Sequence, residues 1–523
     1  MIPFLSFLSV AAFAAAILPT KLAHAQSRVS THKKDQEIEL LKTEVRQLEQ
    51  RVNTLERLDE RVKVIDSKLK TQEVTQKVQL KAHEATQKVQ REIQLAQSDL
   101  ERKKSLETPT VTADSKRGFG IWLPGPPPEP GDPYENSILF KGTIQGDGRF
   151  FTSGDDKNIS STFYLNKVRP ILAGRLWDYY TFSIVPDFGQ GKAVLEDGWI
   201  SGGYDRYVFQ LGKFKAPVNM ERLQSDPQIE FVQRSELQNL VPNRDIGAEI
   251  FGDFFCQRLS YKIAFMNGVA NNTASVDFDN NDSKDFMGRV LMTPFQCNDH
   301  KTNSECNEPA WLQQLGIGFG GTYGDERGST TSVYKTWGQS TWFSYNKGVT
   351  ASGLRTHLDP QIYYYFDRFG LMAEYAQDEH SLNLFNSFGA APHKRLINRT
   401  DTFTDTGYMA QASFLLTHDK ASFDGVKPSQ PFRSGGWGAW ELAARISNNA
   451  AQTRQFQLGF ANPSVSAKTA TEFALGINWY LNDNVRWWFD YANTYFDGGA
   501  GTAAAPRDRP NESVFESQVQ IAF

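Results

Sequence analysis

The sequence predicts a transmembrane β-barrel of about 16 antiparallel strands, preceded by an α-helical coiled-coil stalk. Three observations carry this expectation. An apolar segment opens the chain, a long charged stretch with regularly spaced aliphatics follows, and everything after about Ser137 alternates apolar and polar residues with period two. The 523 residues have a net charge of only -4 and 66 aromatic side chains, which argues against a dedicated nucleic-acid binder. Beyond the extreme N-terminus no run of 18 apolar residues is found, so a helical membrane protein is excluded as well.

Residues Phe4 to Leu18 form an apolar core, and Ala23, His24 and Ala25 give a small-x-small cleavage pattern. Residues 1–25 are therefore expected to be a signal peptide that sends the chain for export. No Lys or Arg precedes Lys21, a departure from the usual signal.

A coiled coil is expected over 35–106. Ile38, Leu41, Val45, Leu48, Val52 and Leu55 step by three and four, the spacing of a heptad seam. The phase breaks at Leu58 and resumes through Val62, Ile65 and Leu69. Thr71 to Lys81 (TQEVTQKVQLK) and Ala82 to Glu92 (AHEATQKVQRE) then repeat with a period of 11, which straightens the supercoil or winds it right-handedly. One apolar seam of this length needs partner helices in water, and a single continuous helix would span about 100 Å. The run Pro124 to Pro133 (PGPPPEPGDP) admits neither helix nor sheet, so 107–136 reads as a stiff, Pro-rich linker.

From 137 to 523 the strands take over. In the last one, Phe515, Ser517, Val519, Ile521 and Phe523 share one face, while Glu516, Gln518 and Gln520 share the other. Phe473, Leu475, Ile477 and Trp479 oppose Glu472, Ala474, Gly476 and Asn478 in the same way, and Ile138, Phe140 and Ile144 oppose Lys141, Thr143, Gln145, Asp147 and Arg149. A soluble sandwich would pack the apolar face on a second sheet; a membrane barrel turns it to lipid. The barrel is favoured by strand length, by aromatic clusters near strand ends (Trp342 and Phe343, Tyr363 to Phe366, Trp487 and Trp488), and by the closing Phe523. Counting gives about 17 candidate strands; even numbers are the rule in single-chain barrels, and about 24 residues per strand plus turn suits 16. So wide a barrel encloses an aqueous channel.

Ordered motifs in this region resemble the phosphate-selective porin O and P family. They are Phe163 to Gly174 (FYLNKVRPILAG), Val185 to Gly189 with Gly191 to Leu195, Leu211 to Lys215, Glu221 to Ser225, Leu240 to Gly247, Trp440 to Arg445, Gly476 to Tyr480, and Gln520 to Phe523. The resemblance implies a homotrimeric outer-membrane porin for passive diffusion of small hydrophilic solutes, with one loop folded inward to narrow each pore. The stalk lies outside the resemblance.

The long segment Lys215 to Arg244 alternates poorly and fits that inward loop. It carries Lys215, Arg222, Arg234 and Arg244, whose charges would lower the barrier for small anions such as phosphate. Lys167, Arg169, Lys192 and Lys213, with Lys141 and Arg149, would extend a basic track along the wall. One number opposes this. The first 117 residues hold 21 of the 56 basic and 16 of the 60 acidic side chains, which leaves the remainder net -9. Outer loops rich in Asp are expected to carry that excess.

Cys297 and Cys306 bracket a polar loop and are expected to pair in an oxidising compartment. Asp299 and His300 between them lack a standard zinc spacing, and Cys256 reads as a small filler near a turn. Gly316 to Gly321 precedes no helix and is no phosphate-cradling loop. No cofactor, metal or catalytic constellation is expected, and the remaining histidines read as scattered in loops and strand ends. The partners implied are two further copies of the chain, outer-membrane lipid and small anions. An alternative function makes the barrel a tether, with the periplasmic stalk reaching peptidoglycan.

Overall fold

A computed structural model describes residues 31–66, 86–94, 110–114, 118–123 and 136–523, the last range without 154–159, 177–178, 205, 275–281, 297–307, 330, 386–396, 434 and 503–504. The expected signal peptide, the Cys297 and Cys306 pair with Asp299 and His300, and the Pro run 124–133 lie outside the described residues. The chain divides into two compact units, one of residues 1–109 with 124–126 and one of 110–123 with 127–523.

In the first unit, α1 (Thr31–Asp66) covers 36 residues, about 54 Å of helix. Residues 86–94 are helical too. They share a groove with Glu49, Val52, Asn53 and Glu56, and Val52 and Ile93 are its buried apolar members. Residues 86–94 thus run beside α1 instead of prolonging it, and 67–85 and 95–106 of the expected coiled coil lie outside the described residues.

In the second unit the period-two segments become β1 (Asn136–Ser153), β2 (Thr162–Leu176), β3 (Tyr180–Asp187), β4 (Val194–Tyr204), β5 (Tyr207–Lys215), β6 (Arg244–Phe254), β7 (Leu259–Met266) and β8 (Asp285–Met292). They continue as β9 (Gln314–Ser329), β10 (Val349–Phe366), β11 (Phe369–Phe385), β12 (Ile397–Leu415), β13 (Ala439–Ala450), β14 (Ala467–Tyr480), β15 (Val485–Thr502) and β16 (Glu512–Ala522). Each pairs antiparallel with the next, and β16 returns to β1 from Ser513↔Ser153 to Ala522↔Thr143. The ring is closed at 16 strands, which leaves no barrel edge.

Burial is inverted relative to a soluble protein. Ile144 is 45% exposed whereas its neighbour Gln145 is 1% exposed. Phe473, Leu475 and Ile477 face outward, and Glu472, Ala474 and Asn478 are buried in the interior. This is the arrangement of a barrel with a lipid-facing exterior. The outer aromatics stack laterally, Trp440 on Trp479 at 5.0 Å and Trp487 on Phe489 at 4.9 Å between ring centroids. Not every aromatic cluster belongs to this outer belt. Trp342, Phe343 and Trp488 are fully buried inside, and Tyr363 and Tyr365 are buried there too. Trp342 and Phe343 belong to a short hairpin (Val333–Lys335 and Thr341–Ser344) enclosed by the barrel, so strand-end aromatics are here partly an internal core.

The 107–136 segment is more structured than a linker. Thr110–Asp114 and Gly118–Leu123 form a hairpin whose second strand pairs with β1, Phe119↔Phe140 to Leu123↔Asn136. The cause is strand length. β1 has 18 residues, β16 meets it only from Thr143 onward, and the first part of β1 would otherwise carry unpaired backbone groups. Where β16 runs out, Phe523 and Gly142 exchange reciprocal backbone hydrogen bonds of 2.9 and 3.0 Å. The Phe523 ring covers Gly142 so closely that a Cβ there would lie 2.6 Å from it.

Candidate functional site

The segment 216–243 between β5 and β6 does fold into the barrel. Its short helix Met220–Leu223 is capped by Asn219, whose side chain accepts from the Arg222 N–H at 2.8 Å. Glu374 of β11 accepts the N–H groups of Met220 and Glu221, both at 2.7 Å, so a carboxylate sits at the helix start. Asn219 also donates to Asp359 of β10. Further along, the Val232 N–H donates to Asp490 of β15 at 2.7 Å, and Asn478 of β14 donates to the Glu230 carbonyl at 2.9 Å. The Arg445 guanidinium lies between the rings of Phe231 and Trp337, 4.6 and 4.7 Å from their centroids, while pairing with Glu472. Close approach requires a glycine at one point: a Cβ on Gly320 of β9 would sit 2.2 Å from the Val218 carbonyl oxygen.

Two other loops lock this one. Asn239 and Lys335 exchange hydrogen bonds of 2.8 and 3.0 Å, joining it to the aromatic hairpin. The Asn272 N–H donates to the Val241 carbonyl at 2.8 Å. Trp337 of the hairpin reaches across to Glu516 of β16, Nε1 to Oε2 at 2.7 Å. The inner loop is therefore fastened to the β10–β15 side of the ring.

On its other side a cavity of about 880 Å³ remains, bounded by β1, β2, β4, the start of β6, the inner loop and the aromatic hairpin. Seven basic side chains line it (Arg149, Lys167, Arg169, Arg222, Arg234, Arg244 and Lys335) against three acidic ones (Glu196, Asp226 and Glu236). The formal excess is +4, although the part of the chain after residue 117 is net -9.

Most of these cations are paired. Asp226 Oδ2 is 2.9 Å from Lys167 Nζ and 2.5 Å from Arg169 Nη1, and Oδ1 is 2.7 Å from Arg234 Nη1. Arg169 also meets Asp187 at 2.7 Å and Glu196 at 3.3 Å. Arg244 meets Asp197 at 2.9 Å and Glu196 at 3.1 Å, and Arg149 meets Glu516 at 3.0 Å. Arg222 differs. It is buried, its Nη2 donates to Asn272 at 2.9 Å, and its Nε has no hydrogen-bond partner. Burial and then the neighbouring Arg234 and Arg244 lower its pKa to about 9, so it remains a cation at neutral pH. Burial would raise the Asp226 pKa, but Lys167, Arg234 and Arg169 outweigh it and hold the carboxyl well below its ordinary range. Burial and the nearby Glu472 push Glu236 well above its own.

Of the eight residues expected to line a pore, Lys167, Arg169, Arg222, Arg234 and Arg244 come together here. Lys215 is adjacent, its Nζ donating to the Gln224 carbonyl at 2.9 Å. Two do not join them. Lys213 pairs in register with Gly198 and Ile246 and is buried in the wall. Lys192 is exposed in the turn after β3, just past the left-handed Gln190 and Gly191. Sequence reasoning missed Asp226, Glu196, Lys335 and Trp337 at this site, since their contacts are long-range and leave no local pattern.

Two histidines expected at loops or strand ends stand inside the barrel on β10 and β11. His357 and His380 lie 3.2 and 3.1 Å from the Asp378 carboxylate, beside Arg355. Cys256, expected as a filler, is exposed in the turn between β6 and β7. Among the described residues no group of His, Cys, Asp and Glu is arranged to hold a metal.

A closed 16-stranded ring with an apolar exterior, a polar interior and an infolded loop defines the class of outer-membrane porins. The family model of the phosphate-selective porin O and P family matches residues 140–523, and the chain belongs to that family. Among solved structures it is similar to OmpT of Vibrio cholerae in its trimer form (10% identity, 74% of this chain and 99% of that chain, TM-score 0.45). DcaP of Acinetobacter baumannii (9%, 74% and 97%, 0.45) and OprB of Pseudomonas putida (10%, 74% and 94%, 0.42) are also similar. No curated protein sequence matches the chain.

Proposed function

We propose that the protein is a homotrimeric channel for passive diffusion of small hydrophilic solutes, with a preference for anions, phosphate among them. The observation that carries this is the sign of the cavity. Seven cations against three acids line the space between wall and loop, in a portion of the chain whose overall charge is negative. A water-poor, low-dielectric constriction strengthens the effect of each charge on a passing ion. Arg222 supports the reading further, because it lines the cavity and its guanidinium pairs with the Asn272 amide instead of a carboxylate. The reading makes the molecule a conduit and not a catalyst, and its membership in a porin family supports this.

The heptad seam of α1 supports an oligomeric periplasmic stalk, and the N-terminal apolar segment supports export. Tethering to peptidoglycan is a second reading of that stalk, favoured by its charged, elongated helix. The test of the channel is a planar-bilayer reversal potential in a KCl gradient, repeated with added phosphate. The wild type should prefer chloride. Arg222→Gln should move the potential toward potassium by about a threefold change in permeability ratio or more, on the order of the Coulomb effect of removing one charge from the lining. A potassium-preferring wild type, or an unmoved Arg222→Gln, would refute the assignment.

A further inference from the structure

Two acids of the inner loop line the cavity, Asp226 and Glu236, and of these Asp226 pairs with the cations of the wall. Asp226 opens the short turn Asp226–Gln228, on the face of the inner loop turned toward β2. Its Oδ2 takes both wall cations, Lys167 at 2.9 Å and Arg169 at 2.5 Å. Its Oδ1 has Arg234 at 2.7 Å but no directed hydrogen bond. Three N–H-bearing cations thus converge on one carboxylate from the wall and from the loop, which is the coordination an oxyanion would receive there.

The neighbouring acids have a different role. Asp187, Glu196 and Asp197 belong to the barrel strands and neutralise Arg169 and Arg244 from the wall side. Among the described residues, Lys167 and Arg234 have no carboxylate but Asp226 within ion-pair distance. Removing the Asp226 charge therefore leaves Lys167 and Arg234 without a carboxylate partner, although Arg234 keeps the Glu221 and Gln224 carbonyls, and leaves Arg169 with Asp187 and Glu196.

We propose that Asp226 is a tethered counter-ion that sets the strength of the channel's ion selectivity, occupying between Lys167, Arg169 and Arg234 the position a passing oxyanion would take. The proposal rests on the reading of this cavity as the ion path. A mobile anion has to share those cations with Asp226 or displace it, so the residue keeps binding weak enough for release. Conduction then resembles an exchange of one oxyanion for another at a fixed set of donors.

The test uses the purified full-length channel in planar bilayers under a KCl gradient. Asp226→Asn should shift the reversal potential toward chloride by about a threefold permeability ratio or more, from one charge at short range. Added inorganic phosphate should block its chloride current at lower concentration than in the wild type. An unchanged potential, or a shift toward potassium, overturns the proposal. Should Asp226→Asn fail to form a barrel, Lys167→Gln with and without Asp226→Asn decides. The single change should move the potential toward potassium and the pair should return it toward the wild-type value; identical potentials for the two overturn the idea. A wild type without chloride preference would sink the anion-channel reading, while the shift on Asp226→Asn would still decide the role of this residue.

Discussion

Glu230 illustrates how a single inner-loop residue ties the pore to its wall. Tyr365 donates to its Oε1 at 2.9 Å, Gln411 donates to Oε2, and Arg486 and Asn478 hold its backbone carbonyl. Burial, followed by the charge of Glu441, raises its pKa to about 7. The sign follows from linkage. A carboxyl whose pKa is raised on folding favours the protonated folded state, so this anchor is strongest below the ordinary value of 4.5 and weakens as pH rises to about 7. Open-channel noise of the wild type should therefore grow between about pH 4.5 and 7. Glu230→Gln keeps the side chain neutral and should flatten that rise; a persistent step near pH 7 would assign it elsewhere. The sequence revealed little at this scale. Lys167, Arg169, Arg222, Arg234 and Arg244 were visible as a basic set because cations in and around a long loop stand out. Asp226 was not, because one acid among loop residues has the same local appearance whether it meets solvent or three cations.

The elements were much more legible. Two-residue alternation in β14 and β16 gives their outward faces directly, since a strand has only two faces and one of them is apolar. What alternation cannot distinguish is an aromatic turned to lipid from one turned to an internal loop. Trp342 and Phe343 resemble an interface cluster in sequence, yet they pack with Tyr334 inside the barrel at 5.5 and 4.9 Å between centroids. The hairpin that carries them also holds Trp337 against Arg445 and Glu516. Trp337→Ala removes the ring and the donor to Glu516, a truncation of the kind that costs about 3–5 kcal/mol in a packed interior. The variant should unfold at lower temperature, read from the loss of its heat-modifiable electrophoretic shift, and conduct more per channel because the hairpin no longer caps the cavity. Unchanged conductance would mean that the hairpin does not bound the ion path.

At the scale of the molecule, the two units make separable predictions. The barrel buries its polar side chains and exposes apolar ones, so its solubility should depend on detergent, and its cavity is built wholly from residues 149–339. On the proposed homotrimer, a chain lacking 31–106 should keep the wild-type reversal potential and unit conductance while its yield of trimers falls, measured by size-exclusion chromatography with light scattering in detergent. Equal trimer yield would release the helical unit from any part in assembly. The helical segment was legible as helix from its heptad spacing, but the doubling back of 86–94 beside α1 was not, because an apolar seam specifies that a partner is needed and not which stretch provides it.

The fastening of the inner loop has a consequence for how the molecule comes to exist. Asn219 finds Asp359 across 140 positions of chain, and Val232 finds Asp490 across 258. Until those later strands are in register, the loop has no wall to grip, and its carboxylate and guanidinium groups lack the company that makes their burial tolerable. The bore is thus a late product of folding, shaped only when the far staves arrive, and an intermediate halted before that moment would be a leaky sheet without a preference for any ion.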